Sequence, residues 1–301
     1  MRTIADLHSH SFFSDGSLTL EQVSEVIQDR KLTAFSVTDH DRLDFYEQAI
    51  DANLKKHLIP GVELSTRINQ QSVHLLVYHA WPIPTDLIQI VSRFSEFRKQ
   101  RYIRILQALS DKHSDISITL EKNQSVFTSR QLCELIAAKT NIRSLRKIYS
   151  LFLSKIHMDY REFPELPETL EMLQSLSEVK SFVAHPGHKG VHWEHLWSDW
   201  KKLGLTGLEL VHPVHKGPLR KYYKKIIRRE NLVASGGSDF HYPGGGNIGP
   251  GKLGLDSNQW KNFNDQCNLL PNDFVGHKIS LETATINKNE KHANEFQKTS
   301  N

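Results

Sequence analysis

Nine side chains able to ligate a metal recur along this 301-residue chain, each at or just past the end of a short apolar run. Asp6-Leu7-His8-Ser9-His10 follows Arg2–Ala5, with Asp15 five residues on. Thr38-Asp39-His40 closes Ala34–Val37, Gly61-Val62-Glu63 follows Leu58-Ile59, and His74 opens Leu75–Tyr78. His185 ends Phe182–Ala184, and Asp239-Phe240-His241 follows Leu232–Ala234. Imidazole nitrogens and carboxylate oxygens without thiolate suit Mn, Fe or Zn in hydrolytic chemistry rather than a closed structural zinc site. Asp-x-His-x-His on a strand puts both imidazoles on one face, because side chains alternate with period two. Ligands gathered from many strand ends are how a barrel assembles a site at its C-terminal rim. The pattern reads as a multinuclear metallohydrolase.

The elements that must position these residues alternate. Thr19-Leu20-Glu21-Gln22 is a capping-box pattern, followed by Leu20, Val23, Val26 and Ile27 at helical spacing. Short β-type runs return at Ala34–Val37, Leu58–Leu64 and Val73–Tyr78, a rhythm that favours a mostly parallel sheet or barrel. It then breaks: Leu87, Ile90, Val91, Phe94, Ile105, Leu106 and Leu109 mark one long helix, and two more helical stretches follow near Arg130–Ala138 and Ser144–Lys155. Residues 86–165 are therefore expected to form a helical insertion that binds substrate, with 1–85 and 166–285 forming a discontinuous α/β barrel. The rhythm resumes with strands at Ser181–Ala184, Gly207–Val211 and Leu232–Gly236, and helices at Glu168–Leu176, Trp193–Leu203 and Leu219–Arg229. Residues 286–301 are polar and read as a flexible tail.

Composition narrows the setting. The hydrophobic share of 38% suffices for a core, and no apolar run approaches the ~20 residues that span a membrane. The opening Met1–Asp6 lacks the long apolar stretch of a signal peptide. Cys133 and Cys267 form no pair with metal spacing, so a cytoplasmic location is expected. Net charge is +4, but from Arg93 through Arg161 there are 14 Lys+Arg against 6 Asp+Glu, a local +8 that leaves the remainder at −4 (4 − 8). A basic segment beside an acidic metal-binding body suggests an anionic substrate. Among the 17 histidines, His57, His113, His157, His277 and His292 lie in polar stretches and read as surface residues.

As an ordered set, Asp-Leu-His-Ser-His, Ser-Asp-Gly, Thr-Asp-His-Asp, Gly-Val-Glu-Leu-Ser, Val-His-Leu-Leu, Ala-His-Pro-Gly and Gly-Ser-Asp-Phe-His resemble the PHP (polymerase and histidinol phosphatase) superfamily, over residues 2 to about 255. Gly-Val-Glu-Leu-Ser-Thr, the insertion and Gly-Ser-Asp-Phe-His-Tyr-Pro-Gly-Gly are most similar to its branch of bacterial 3′,5′-nucleotide bisphosphate phosphatases and 5′→3′ exoribonucleases of the RNase AM type. The resemblance implies a distorted seven-stranded β/α barrel holding three divalent ions, often Mn. It implies that His8, His10, Glu63 and Asp239 hold the first ion, that Glu63 bridges to a second with His74 and His185, and that Asp15, His40 and His241 hold the third. Arg98 and Arg101 resemble the family's Arg-x-x-Arg, implied to grip substrate phosphate. Ser129-Arg130-Gln131-Leu132 falls where relatives commonly have Gly-Arg-Pro-His, keeping Arg130 but placing Leu132 at the His position. Glu209-Leu210-Val211-His212-Pro213-Val214-His215 aligns His215 with a substrate-side residue and leaves His212 without a role. His188, His192 and His195 read as loop or helix histidines, and Asp39, Asp41 and His79 as supporting groups.

The expected activity is metal-dependent hydrolysis of phosphate from nucleotides of the 3′,5′-bisphosphonucleotide type, from 5′-phosphorylated RNA ends, or both, by attack of a hydroxide generated at the metals. Asp15, Glu63 and His215 are the candidate catalytic residues; Arg98, Arg101, Arg130 and His215 are the candidate substrate contacts. A histidinol-phosphate-type phosphatase and a non-catalytic PHP module are the alternatives. The expected partner is a nucleotide or short RNA, with no membrane and no obligate protein partner.

Overall fold

The computed structural model describes residues 2–113, 128–154, 156, 160–176, 178–187, 193, 195–244 and 248–270. The expected tail at 286–301, the last expected stretch of barrel to 285, and His157, His188, His192, His277 and His292 lie outside the described residues.

The chain runs β1 (Ala5–Asp6), α1 (Leu20–Arg30), β2 (Ala34–Phe35), α2 (Ala52–Lys55), β3 (Gly61–Ile68), β4 (Gln71–Tyr78) and α3 (Thr85–Lys112). Then come α4 (Ser129–Lys139), α5 (Leu145–Ile148) with a π turn after it, α6 (Leu166–Gln174) and β5 (Lys180–Val183). The last elements are α7 (Trp197–Lys202), β6 (Gly207–Val211), α8 (Gly217–Glu230), β7 (Val233–Gly236) and α9 (Ser257–Cys267). Thr19 caps α1 in a reciprocal box with Gln22, as the sequence predicts, and Thr128, which the sequence reading did not single out, does the same for α4 with Gln131.

Strands β1 and β2 pair in parallel, and β3 to β7 form a sheet in chain order. Isolated bridges join the two sheets on both sides: Phe35 to Leu58 and His40 to Glu63 on one, Ser9 to Phe240 on the other, where Leu7 N–H also donates to Gly236 O at 3.1 Å. Among the described residues, seven strands thus follow one another in a distorted, barrel-like arrangement, as a two-stranded and a five-stranded sheet linked by these bridges. The parallel rhythm has one exception, because β4 runs antiparallel to both β3 and β5. Asn69 and Gln70 turn the chain directly from β3 into β4, leaving no room for a crossover helix. This reversal explains why His74 opens its apolar run while the other ligand-type residues close theirs: the rim end of β4 is its N-terminal end.

Alternation sorts the strand residues onto two faces. Val62, Leu64, Leu75, Val77, Val183, Leu208 and Leu210 face outward and pack with Val23 of α1, Phe94 of α3, Leu170 of α6, Trp197 of α7 and Tyr223 of α8. Leu76, Tyr78, Phe182, Ala184 and Val211 face inward with Trp260, Phe263 and Cys267 of α9. Phe263 stacks on Phe182 with centroids 5.5 Å apart, so α9 closes the end of the barrel away from His74 and His185. Burial of each such side chain contributes roughly 1.5–3 kcal/mol.

Helix α3 serves two cores. Leu87, Val91 and Phe94 belong to the barrel's outer shell, whereas Tyr102, Ile105, Leu106 and Leu109 join Leu132, Cys133, Ile136, Ile148, Leu153 and Ile156 in a separate cluster. The helices expected to form an insertion share this apolar centre. Leu132 is fully buried in it, so this position is occupied by core.

Candidate active site

The inward positions nearest the rim carry the ligand-type residues. Glu63 pairs in register with Leu76, and His74 lies two residues before Leu76 on the same face, which brings His74 Nδ1 to 2.8 Å from Glu63 Oε1. His185 and Asp239 leave β5 and β7 through left-handed backbone, at φ 27° and 49°. Non-glycine residues adopt this conformation at a cost, and it is concentrated at functional sites. Here it turns both side chains towards Glu63 and the β1 histidines. Gly237 permits the close passage: a Cβ there would overlap the backbone and Cβ of His8.

Among the described residues, four overlapping groups could hold a metal ion. The first is His8 Nε2, His10 Nε2, Glu63 Oε2 and Asp239 Oδ1. Each imidazole nitrogen lies 3.2 Å from each carboxylate oxygen, and the two nitrogens are 3.3 Å apart. A tetrahedral ion with bonds of about 2.0–2.1 Å needs ligand atoms about 3.3–3.4 Å apart. The four donors already stand at nearly that spacing.

The second group is His40, Glu63 and His74. The other oxygen of Glu63 lies 2.8 Å from His74 Nδ1 and 3.0 Å from His185 Nε2, and His185 itself belongs to none of the four groups. The third gathers around Asp15, with His241 Nε2 at 3.5 Å and His10 Nδ1 and His40 Nε2 at 3.8 Å. Three histidines are shared between groups. His10 belongs to the first and third, His40 to the third and, through its Nδ1 at 3.3 Å from Glu63 Oε2, the second, and His8 to the first and the fourth. Buried His10 Nδ1 and His40 Nδ1 make no hydrogen bond. Such orphaned nitrogens are costly unless a ligand satisfies them, which fits a site built for ions.

The fourth group was not foreseen from sequence. Glu209 Oε1 lies 3.1 Å from His8 Nδ1, its Oε2 accepts from His185 N–H at 2.7 Å, and His212 Nε2 lies 3.0 Å from Asp239 Oδ2. The signal was present: Glu209 alternates with outward Leu208 and Leu210, so it had to point into the barrel, where a buried carboxylate requires partners. Asp6 is a second such group. It accepts from Ser238 N–H at 2.8 Å and Gly251 N–H at 2.7 Å, tying the Asp239 segment to β1. Burial raises its carboxyl to about 6 against the lowering effect of these bonds. Asp39 accepts from Ser11 N–H at 2.8 Å and from the Ser11 and Ser14 hydroxyls, fixing the loop that presents Asp15.

Electrostatics follow this packing. Burial alone would raise Asp15, but His241, His40, His10 and Arg98 hold it down to about 2. Burial pulls His10 down, yet hydrogen bonds to Asp239 and Glu63 carry it up to about 10. His8 is likewise held well above the ordinary histidine value, burial being outweighed by Glu209, Asp239 and Glu63. His40 and His74 go the other way, because burial dominates.

The candidate substrate residues are dispersed in what they touch. Arg98 Nε donates to buried Asp41 at 2.7 Å and its Nη2 to Ser65 Oγ at 2.7 Å. It is close enough to the metal-binding residues to lower Asp15, His40 and His74. Arg101 is buried over the Tyr160 ring, 4.3 Å from its centroid. Arg130 is half-buried, paired with Glu134 at 2.8 Å and 4.0 Å over the ring of Tyr242, next to His241. His215 differs from its expected substrate-side place. It is buried, with Nε2 2.8 Å from Pro186 O and Nδ1 3.3 Å from Leu210 O, so it touches the site through the His185 turn. A cavity of about 410 Å³ opens over the groups, with His40, Glu63, His74, His185, Asp239 and His241 on its floor and Gln70, Gln71, Ser72, Val73 and Trp193 on its walls.

Comparison with known proteins agrees with this geometry. The PHP domain model matches residues 6–179, more than half of the chain. The chain belongs to the PHP domain family. Its His, Asp and Glu groups are able to bind metal. A stretch of 110 residues is 30% identical to the 5′-3′ exoribonuclease Rnm of Escherichia coli, and one of 114 residues is 29% identical to Rnm of Salmonella typhimurium. These stretches span 38% and 39% of those relatives, and 35% and 36% of this chain. In fold, the chain is similar to a protein of Bifidobacterium adolescentis assigned to the metal-dependent phosphoesterases (TM-score 0.69, 19% identity, 87% of this chain and 96% of the other). It is also similar to an amidohydrolase of Chromobacterium violaceum solved with sulfate (TM-score 0.67, 21% identity, 84% and 91%). No helix among the described residues is long and apolar enough to cross a membrane.

Proposed function

We propose that this PHP protein hydrolyses phosphate esters of nucleotides, with 3′,5′-bisphosphonucleotides and 5′-phosphorylated RNA ends as the substrate classes. The observation that carries this reading is Glu63. One carboxylate faces His8, His10 and His40 with one oxygen and His74 and His185 with the other, on the floor of a cavity of nucleotide size. A bridging carboxylate flanked by imidazoles suits two or more divalent cations, and we assign three, with Mn preferred and Fe or Zn permitted. When bound, such ions lower the pKa of water and neutralise charge on the phosphate.

The remaining work belongs to the chain. His8, His10, Glu63 and Asp239 would hold the first ion, Glu63, His74 and His185 the second, and Asp15, His40 and His241 the third. Glu209 and His212 orient His8 and Asp239 from behind, as outer partners of metal ligands do. Arg98 presents its guanidinium beside the floor and Arg130 beside the rim, where both would contact phosphate oxygens, and Arg101 supports them from its place over Tyr160. The 30% identity with an exoribonuclease over about a third of the chain favours the RNA end as substrate.

The test is a panel of mononucleotides, 3′,5′-bisphosphonucleotides, histidinol phosphate and short 5′-phosphorylated RNA, each with Mn²⁺ and with EDTA. Mn²⁺-dependent release of phosphate from 3′,5′-bisphosphonucleotides, or of mononucleotides from 5′-phosphorylated RNA, is expected. Release confined to histidinol phosphate, or full activity in EDTA, would overturn the reading.

A further inference from the structure

Helix α8 carries six cations, Arg220, Lys221, Lys224, Lys225, Arg228 and Arg229, against the single acid Glu230, a net of +5 (6 − 1). This is not a general property of the surface. Once α8 and the +8 of residues 93–161 are set aside, the rest of the chain sums to −9 (4 − 8 − 5). Tyr223 and Ile226 are buried against the barrel, which leaves Lys221, Lys224, Lys225 and Arg228 exposed. Their spacing of i, i+3, i+4 and i+7 puts them on one face, about 10.5 Å from first to last. None of the four has a carboxylate partner among the described residues. Both i,i+4 pairs on this face are like-charged, an unfavourable arrangement that a bound polyanion would relieve.

Topology fixes where the stripe lies. β6 and β7 are parallel, so α8, which connects them, starts beside the C-terminal end of β6 and runs back along the outside of the barrel. That end of β6 leads into His212, which contacts Asp239, and His215, which contacts the His185 turn; Lys216 and α8 follow at once. The stripe therefore begins at the metal-lined rim and leads away from it. A membrane surface fits less well. Membrane-surface helices present an apolar face beside their cations, whereas the apolar face of α8 is packed on the barrel.

We infer that α8 is a track for the phosphodiester backbone of single-stranded RNA whose 5′ end lies in the metal-lined cavity. This rests on the phosphoesterase reading above and selects RNA as its extended substrate. A mononucleotide ends within the cavity and does not reach the stripe, so the stripe should act on oligonucleotides alone.

The experiment compares the full chain with a Lys221→Gln/Lys224→Gln/Lys225→Gln/Arg228→Gln variant, Mn²⁺-loaded. Binding of a 5′-phosphorylated RNA of about ten nucleotides, protected by phosphorothioate linkages, is measured by anisotropy across a salt series. If all four cations contact phosphate, the slope of log affinity against log salt should fall by about 2.8 (4 × 0.7). A fourfold rise in salt should then cost the parent about 50-fold more affinity than the variant. Mn²⁺-dependent hydrolysis of a mononucleotide should be equal in the two proteins. An unchanged slope on RNA would overturn the track. So would parallel loss of mononucleotide hydrolysis, or a difference seen only on anionic lipid vesicles. Absence of Mn²⁺-dependent hydrolysis in the parent on every phosphate ester would instead sink the reading of the site, whatever the salt slopes show.

Discussion

Glu209 Oε1 stands 3.1 Å from His8 Nδ1, on the opposite edge of the ring from the Nε2 that faces Glu63 and Asp239. With an ion bound, the contact would fix the tautomer of His8, its proton on Nδ1 and the lone pair of Nε2 turned to the first group. Glu209 also accepts from the backbone of His185, so one buried carboxylate orients both His8 and the His185 turn. Glu209→Gln would set an amide group against one of these two donors. Metal affinity should fall about 10- to 100-fold, the usual cost of losing such an outer partner. Chelator competition reads this directly, and unchanged affinity would make Glu209 a structural group only.

The shared carboxylate gives a second prediction, in stoichiometry. Glu63 contributes to two groups, whereas Asp15 contributes to one. Glu63→Gln should therefore lower bound Mn²⁺ by more than one equivalent per chain, and Asp15→Asn by no more than one. Elemental analysis after reconstitution decides it. Equal losses would mean that Glu63 does not bridge.

The histidine shifts predict opposite pH behaviour with and without metal. In the metal-free fold His10 is raised to about 10, above the ordinary value of about 6.5. A raised histidine contributes stability that is fully present below pH ~6.5 and lost as pH rises through ~10. Metal ligation by Nε2 removes that proton, so loading at pH 7 should release protons and strengthen with pH. Thermal melts in EDTA should accordingly weaken from pH 7 to 10, while Mn²⁺-loaded melts should not. Calorimetry in buffers of different ionisation enthalpy would count the protons; none released would show that His10 is neutral before loading.

How much of this could be read from sequence depended on the kind of constraint. His8, His10, Glu63 and Asp239 were legible because strand alternation and apolar runs place them without reference to distant residues. The strand expected at Leu58–Leu64 begins instead at Gly61, because Pro60 lacks the N–H that a ladder position would use, and it extends to Ile68 on pairing with β4. The closing helix α9 was missed: its eleven residues are polar but for Trp260, Phe263 and Cys267, and only the open end of the barrel makes those three into core. Glu209 and His212 acquire roles only through contacts with His8 and Asp239, 201 and 27 residues away. His215 was drawn towards substrate by its motif, while the fold buries it with its ring nitrogens 2.8 Å from Pro186 O and 3.3 Å from Leu210 O, to one of which a neutral imidazole donates.

The three arginines expected to grip phosphate should separate by what each already holds. Arg98 neutralises Asp41, whose side chain is fully buried, so Arg98→Ala would strand a charge and cost about 3–5 kcal/mol of stability. Its effect on activity would then be mixed with damage to the fold. Arg130 sits on the surface over Tyr242, and its partner Glu134 is exposed, so Arg130→Ala should leave the melting temperature unchanged. If Arg130 holds a substrate phosphate, its removal loses a charge-assisted bond of roughly 1.5–3 kcal/mol, or about 10- to 150-fold in kcat/KM. Arg130→Lys should recover only part of this, because an ammonium lacks the planar fork that carboxylate and phosphate oxygens accept in pairs. The loss should be greater for a 3′,5′-bisphosphonucleotide than for a simple aryl phosphate, which has no second phosphate to place at the rim. Equal loss on both substrates would move Arg130 to the reacting phosphate, and no loss on either would leave it a surface partner of Glu134 and Tyr242.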